Sequence, residues 1–403
     1  MMSGELTRWR FLDRNSPREA THYRSTVKRI DSWWATFAEK VDRIAALFER
    51  KCKWNLPDWM AEHLGAIDPK LMWEYGPAVK GRGHRLVITP ESARHLRPLT
   101  TTILERAPQI PGWEFYGYRL AEDLEMAAET VKGRTGATLD DIRVRASRGQ
   151  HHRIDLCYFF PVLVSEDDAQ ALNAAFVATE SLLGEECLDK WIGAIEVDSS
   201  KSGSGKTTIP LDDLKTSVEA LIGSLCDQLP DRPYYQWTET AEWTLWQLKP
   251  EQAEDYPEQS DLFVGKSCNR AMWEAAHAGT AFYSERFSRH EETFCYLKLD
   301  GSQGLDEEKF ADKSEIEDAL DAVLKPQALG CQIGGGTGLR YSYIDLAVRD
   351  VDRAIEVVRE RLRQGNVPQR SWILFFDAEL ESEWVGIYES TPPPPLPIMG
   401  DES

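Results

Sequence analysis

The hydrophobic period of this chain switches repeatedly between two and 3.6 residues, and that switching limits the folds open to it. Period-two runs become strands, and period-3.6 runs become helices that must cover them. The first clear helix spans 32–50, where Trp33, Phe37, Val41, Ile44 and Phe48 recur at three- and four-residue steps. Residues 85–89 read as a strand. Thr89, Pro90 and Glu91 then read as a capping hydroxyl, a first-turn proline and an early carboxylate. A helix is therefore expected toward Ala107, with Pro98 as a kink. Strands follow at 113–120, at 142–145 and, after the turn at 147–150, at 153–160. Residues 167–183 predict a helix and 191–197 a strand. Setting aside a short helix at 122–131, the order reads as βαββαβ, which suits a ferredoxin-like layout.

The second half repeats this grammar. Strands are expected at 243–248, 262–265, 294–300, 328–333, 340–348, 372–376 and 384–388, with helices at 269–277, 313–324 and 351–362. Arg153-Ile154-Asp155-Leu156 and Tyr343-Ile344-Asp345-Leu346 fall at matching places, which suggests two similar units in tandem. The fold class expected is α+β: two ferredoxin-like units with antiparallel or mixed sheets and helices packed on one face. The boundaries expected are an Arg-rich arm at 1–28, a first domain at 29–198, a Ser/Gly/Lys linker with a connecting helix at 199–232, a second domain at 233–390 and a Pro-rich tail at 391–403.

Charge narrows the partners. The net charge is −20, so the surface field repels phosphate backbones and anionic lipids and favours a cationic partner. Nucleic acid is therefore disfavoured. Seven cysteines, an odd number without a CxxC pair, predict reduced thiols. Residues 1–10 carry no apolar core of a signal peptide, and no run approaches 18 apolar residues. A cytoplasmic protein without a membrane contact is the expectation.

Several phrases occur in an order that resembles the bacterial family catalogued as domain of unknown function 695. They are Trp73-Glu74-Tyr75-Gly76-Pro77, Leu86-Val87-Ile88-Thr89-Pro90-Glu91, Arg106-Ala107-Pro108 with Pro111-Gly112-Trp113, Leu183-Gly184-Glu185 and Ile192-Gly193-Ala194-Ile195. The resemblance covers roughly 30–198. It implies a bacterial cytoplasmic protein and carries no assigned chemistry. The second half is placed in no family.

Two phrases could hold an anion. Ser200 to Thr207 follows a strand and precedes a helix, as a phosphate-cradling loop does, with Gly205, Lys206 and Thr207 as its working residues. Its first position is Ser200 where the motif needs glycine, so a flexible interdomain linker is the preferred reading. Ile373 to Asp377, an apolar strand ending in an acid, would be the magnesium-side partner of such a loop. Gly334, Gly335, Gly336 and Gly338 precede Arg340 and read as a turn whose N–H groups form an anion nest, or else as a tight hairpin. No helix follows them, so a dinucleotide site is excluded on context.

The eight histidines form no HExxH, and no GxSxG elbow occurs. No catalytic residue, metal site or cofactor is assigned. Lys132, Arg134, Arg143, Arg145, Arg148 and Arg153 make a basic region around the first hairpin, and Trp237, Trp243 and Trp246 cluster in the second half. The leading expectation is a non-catalytic binding or regulatory protein acting through protein contacts, as an immunity-type inhibitor of a cationic partner would. The alternative is a nucleotide- or phosphate-binding enzyme using one of the two glycine-containing phrases.

Overall fold

Ser16 and Pro17 start the first helix. The Ser16 hydroxyl accepts the Glu19 N–H, Pro17 presets the first turn, and α1 runs from Pro17–Phe48. The polar arm expected at 1–28 is thus helical from Pro17 onward, because this cap lies well before the first apolar stripe. The structure is a computed structural model that describes residues 8–13, 15–160, 168–198 and 207–395.

The chain divides into two compact units. One comprises 13–222; the other combines 1–12 with 223–403, so the first is inserted within the second. In the inserted unit α1 is followed by α2 (Leu56–His63), β1 (Met72–Pro77), β2 (His84–Thr89), α3 (Arg97–Glu105), β3 (Trp113–Tyr116) and α4 (Leu124–Thr135). Then come β4 (Arg143–Arg148), β5 (Ile154–Phe159), α5 (Asp168–Leu183), α6 (Glu185–Trp191), β6 (Ile192–Asp198), β7 (Ile209–Pro210) and α7 (Leu214–Cys226). Trp34 and Phe37 of α1 meet Phe115 and Trp113 of β3 edge-on, at 4.8 and 5.1 Å between ring centroids. Packing of such rings ties α1 to β3 in this unit.

The expected single sheet of this half is split in two. One sheet has the order β1-β2-β3 and the other β6-β5-β4-β7. The reason is β1, which pattern reading missed. It pairs antiparallel with β2, while β3 pairs parallel on the other side, so both edges of β2 are taken. The β4–β5 hairpin must build its own sheet, with β6 parallel to β5 and β7 antiparallel to β4. The helix expected from Thr89 also starts later. Thr89 ends β2, and Pro98 sits in the first turn of α3 rather than at a kink.

The second unit holds β8 (Thr244–Gln247), β9 (Leu262–Ser267), α8 (Arg270–Ala276), β10 (Thr293–Asp300), α9 (Lys313–Leu324), β11 (Gly330–Gly338) and β12 (Tyr341–Val348). It ends with α10 (Val351–Gln364), β13 (Ser371–Phe375) and β14 (Trp384–Gly386). One antiparallel sheet has the order β14-β13-β10-β12-β11-β9-β8. Alternation along the strands gives it two buried faces. Leu297, Leu299, Ile344, Leu346 and Ile373 pack with Ile316, Leu320, Val358 and Leu362 of α9 and α10. Tyr296, Tyr343, Trp372 and Trp384 pack with Trp273 in a separate cluster.

Residues 8–12 complete this unit. The buried Glu383 accepts the backbone N–H of Trp9 at 2.7 Å, Arg10 at 2.9 Å and Phe11 at 3.0 Å. Arg8 lies over the Trp384 ring and Phe11 stacks on Phe375. At the other end of the chain the Trp372 indole donates to the Pro392 carbonyl at 2.6 Å, so the start of the Pro-rich tail is packed. No disulfide joins the described cysteines, and none of the described helices is long and apolar enough to cross a membrane.

Candidate functional site

β4 places Arg143, Arg145 and Ser147 on one face, two residues apart. Its partner β7 is only two residues long, pairing Pro210 with Arg143 and Ile209 with Val144. Beyond Val144 that edge of β4 has no strand beside it among the described residues. Arg143 donates to the Thr208 hydroxyl at 2.8 Å and the Thr208 carbonyl at 2.6 Å, which anchors the chain just before β7. α7 runs past with Ser217, Ala220 and Leu221 on one face. Together these elements enclose a groove of about 800 Å3, lined by Arg145, Ser147, Thr207, Ile209, Ser217 and Leu221. That is the size range of small-molecule sites.

Arg145 is the distinctive group there. Its guanidinium lies 5.6 Å from the Phe159 ring, and its Nη1 is buried with no hydrogen-bond partner. No carboxylate pairs with it among the described residues. Of the phosphate-loop residues named from sequence, Thr207 lines the groove, whereas Gly205 and Lys206 lie outside the described residues. Asp377, the acid that would have held magnesium for that loop, is committed elsewhere. It accepts the Ser284 N–H at 2.7 Å and the Ser284 hydroxyl, and burial raises it to about 6.

The other charged clusters are closed. In the inserted unit the Arg97 guanidinium reaches Glu185 at 2.7 Å, Asp189 at 3.3 Å and the Gly117 carbonyl at 2.6 Å, and stacks 3.7 Å over Tyr118. Thr89 donates to the same Glu185 at 2.5 Å, and the Arg119 N–H donates to its other oxygen at 2.9 Å. Arg119 continues to Glu180 and Glu91, and Arg134 also meets Glu180 at 2.8 Å. Burial raises the Asp189 carboxyl, against the opposing pull of Arg94 and Arg97. Phrases that carried the resemblance to the bacterial family thus bring Thr89, Glu91 and Glu185 into one cluster. Sequence reading took Thr89 and Glu91 as a helix start and gave Glu185 no role, because Thr89 and Glu185 are about a hundred residues apart.

The glycines of the second unit are not a turn. Gly334, Gly335, Gly336 and Gly338 lie inside β11, hydrogen-bonded between β12 and β9. Close approach of neighbouring backbone and side chains explains the composition, with the Tyr343 carbonyl where a Cβ on Gly335 would go and the Val264 carbonyl where one on Gly336 would. A Cβ on Gly334 would press on the Asp345 carboxylate, one on Gly336 on Leu262, and one on Gly338 on Asp261. The actual turn is Leu339–Arg340, fixed by Asp261, which accepts the N–H of Arg340 at 2.8 Å and of Tyr341 at 2.9 Å.

Arg340 is brought not to an anion nest but to Asp300, at 2.8 Å, which Arg370 shares at 3.0 Å. Burial alone would raise the Asp300 carboxyl, but hydrogen bonds from Arg340 and Ser302 pull it down to about 2. Arg370 also meets Asp255 and the Tyr341 hydroxyl, each at 2.7 Å. Beside them Lys298 is fully buried, donating to the carbonyls of Tyr256 and Glu258, and burial lowers it to about 8.

Asp345 is buried with one donor only, Gln259 at 3.1 Å, and its Oδ2 finds none among the described residues. Burial raises it to about 7. No group of three His, Cys, Asp or Glu side chains suited to a metal ion occurs among the described residues.

One apolar surface remains. β8 ends the seven-stranded sheet, so its outer edge has no strand beside it among the described residues. Leu245 is 71% exposed and Trp243 40%, with Leu248 and Phe263 also exposed. The three tryptophans that cluster in the sequence separate here. Trp246 stacks on Trp273 at 3.9 Å, and Trp237 packs inward against Tyr234. Trp243 stays outside under Lys266. No family model matches the chain, and no curated protein or solved structure matches it.

Proposed function

We propose that the chain is a non-catalytic binding or regulatory protein that acts through protein contacts, with β8 as its contact strand. The observation that carries this reading is the open edge of β8 together with the 71% exposure of Leu245. Exposed edges are ordinarily blunted by charge, proline or a bulge, because a free ladder of N–H and C=O groups recruits another strand. Thr244 to Gln247 contains no charge and no proline. An extended segment of a partner would add here as an eighth strand, with backbone hydrogen bonds for affinity and Leu245 and Trp243 for specificity.

The net charge of −20 selects a cationic partner and speeds its arrival at low salt, as suits an immunity-type inhibitor in the cytoplasm. The interleaved order β13-β10-β12-β11 supports reading the second unit as ferredoxin-like; the split sheets of the inserted unit lend that name no support. The gathering of Thr89, Glu91 and Glu185 supports the family resemblance, since it gives the shared phrases a common structural task.

The test is parallel capture from bacterial lysate on wild type and on Leu245→Asp. A basic protein held by wild type, released by salt and absent from L245D is the expected result. Identical retention on both columns, or none on either, would refute β8 as the contact strand.

A further inference from the structure

We propose that the groove between β4, β7 and α7 binds a small phosphomonoester, its phosphate held by Arg145 and by the hydroxyls of Ser147, Thr207 and Ser217. This site is separate from the β8 edge and does not depend on it.

The argument begins with arginine chemistry. A guanidinium is always charged and presents its donors in a planar fork matched to carboxylate or phosphate. Arg97, Arg119, Arg340 and Arg370 are each paired with carboxylates of the chain. Arg145 lines the groove and meets no carboxylate among the described residues. A guanidinium with no carboxylate of its own leaves its charge-assisted hydrogen bonds to an anion from outside. The three hydroxyls that share the groove can each donate to a phosphate oxygen.

The rest of the groove sets the size and character of the ligand. A volume of about 800 Å3 far exceeds a phosphate ion. Ile209, Ala220 and Leu221 form an apolar wall suited to the uncharged body of an ester. The negative charge of the chain does not forbid an anion here, because at physiological salt a field decays over about 8 Å and local groups decide.

The test is calorimetric titration of the full chain with adenosine monophosphate, adenosine and inorganic phosphate, repeated on Arg145→Gln and Ser217→Ala. Saturable heat with adenosine monophosphate is expected, weaker with phosphate and absent with adenosine. Arg145→Gln should bind the monophosphate about 10- to 100-fold more weakly, the range of one charge-assisted hydrogen-bonded pair. Should that variant melt early, Ser217→Ala reads the same site, with a loss of about tenfold or less for one neutral hydrogen bond.

Four outcomes overturn the proposal. One is no saturation by either phosphate probe. Another is adenosine binding as tightly as its monophosphate, which would make the groove a nucleoside site, or saturation by phosphate alone, which would remove the ester body. The last is wild-type affinity in both variants.

Discussion

Arg97 and Arg145 belong to the same inserted unit and sit in opposite electrostatic settings. Arg97 is buried, stacked on Tyr118 and divided between Glu185, Asp189 and a carbonyl. Arg145 has a face of Phe159 beside it and no carboxylate among the described residues. The first cluster ties the end of β2 to the start of α3 and α6, and every charge in it has an answer within the fold. The second leaves a positive charge over a groove. A filled fork holds a structure together, whereas an empty one is available to something from outside.

That contrast is easiest to break through Arg97. Replacing it by Met leaves Glu185 and Asp189 buried with half their partners, and removing one side of a buried pair costs about 3–5 kcal/mol. Chemical denaturation of R97M should show that loss. A variant within about 0.5 kcal/mol of wild type would mean that the cluster does not hold the elements together.

Asp345 sharpens the contrast from the other unit, as a buried charge only partly answered. Its carboxyl is raised from 3.8 to about 7 in the folded protein, so between these values the folded state binds a proton that the unfolded state does not. The stability it contributes is complete below about pH 4 and is lost as pH rises toward 7. Asp345→Asn should therefore flatten the fall in melting temperature between pH 5 and pH 8, gaining about 1–2 kcal/mol at the upper end. An unchanged slope would show that the carboxyl titrates normally.

Arg145 itself should give the smallest effect. Since the fold supplies no acceptor for it, Arg145→Gln should shift unfolding free energy by less than about 0.5 kcal/mol, as surface changes do. A loss comparable with R97M would turn the groove into another closed cluster.

The difference between local and non-local information explains what could be read from the chain alone. The run β10-α9-β11-β12-α10-β13 was legible because each element carries its own period, and tertiary pairing agreed with it. The glycines at 334–338 were misassigned for an equally local reason, since clustered glycine normally marks a turn. Their cause lies in Asp261, Leu262 and Asp345, which reach in from neighbouring strands and which no window around 334 contains. The groove was half visible. Arg145 stood out in a basic hairpin and Thr207 in a phosphate-like phrase, but only the pairing of β4 with β7 joins them. The split of the first sheet was hidden because Met72–Pro77, with Gly76 and Pro77 at its end, does not look like a strand until β2 lies beside it.

Glu383 has a consequence for the order in which the protein can be finished. Its three N–H donors, on residues 9 to 11, leave the ribosome more than 370 residues before the carboxylate that receives them. The inserted unit, contiguous from 13 to 222, has its whole sequence available long before then. Its host can close only after synthesis has passed Glu383, and a fragment starting at 223 would present that carboxylate without the backbone it was shaped to receive.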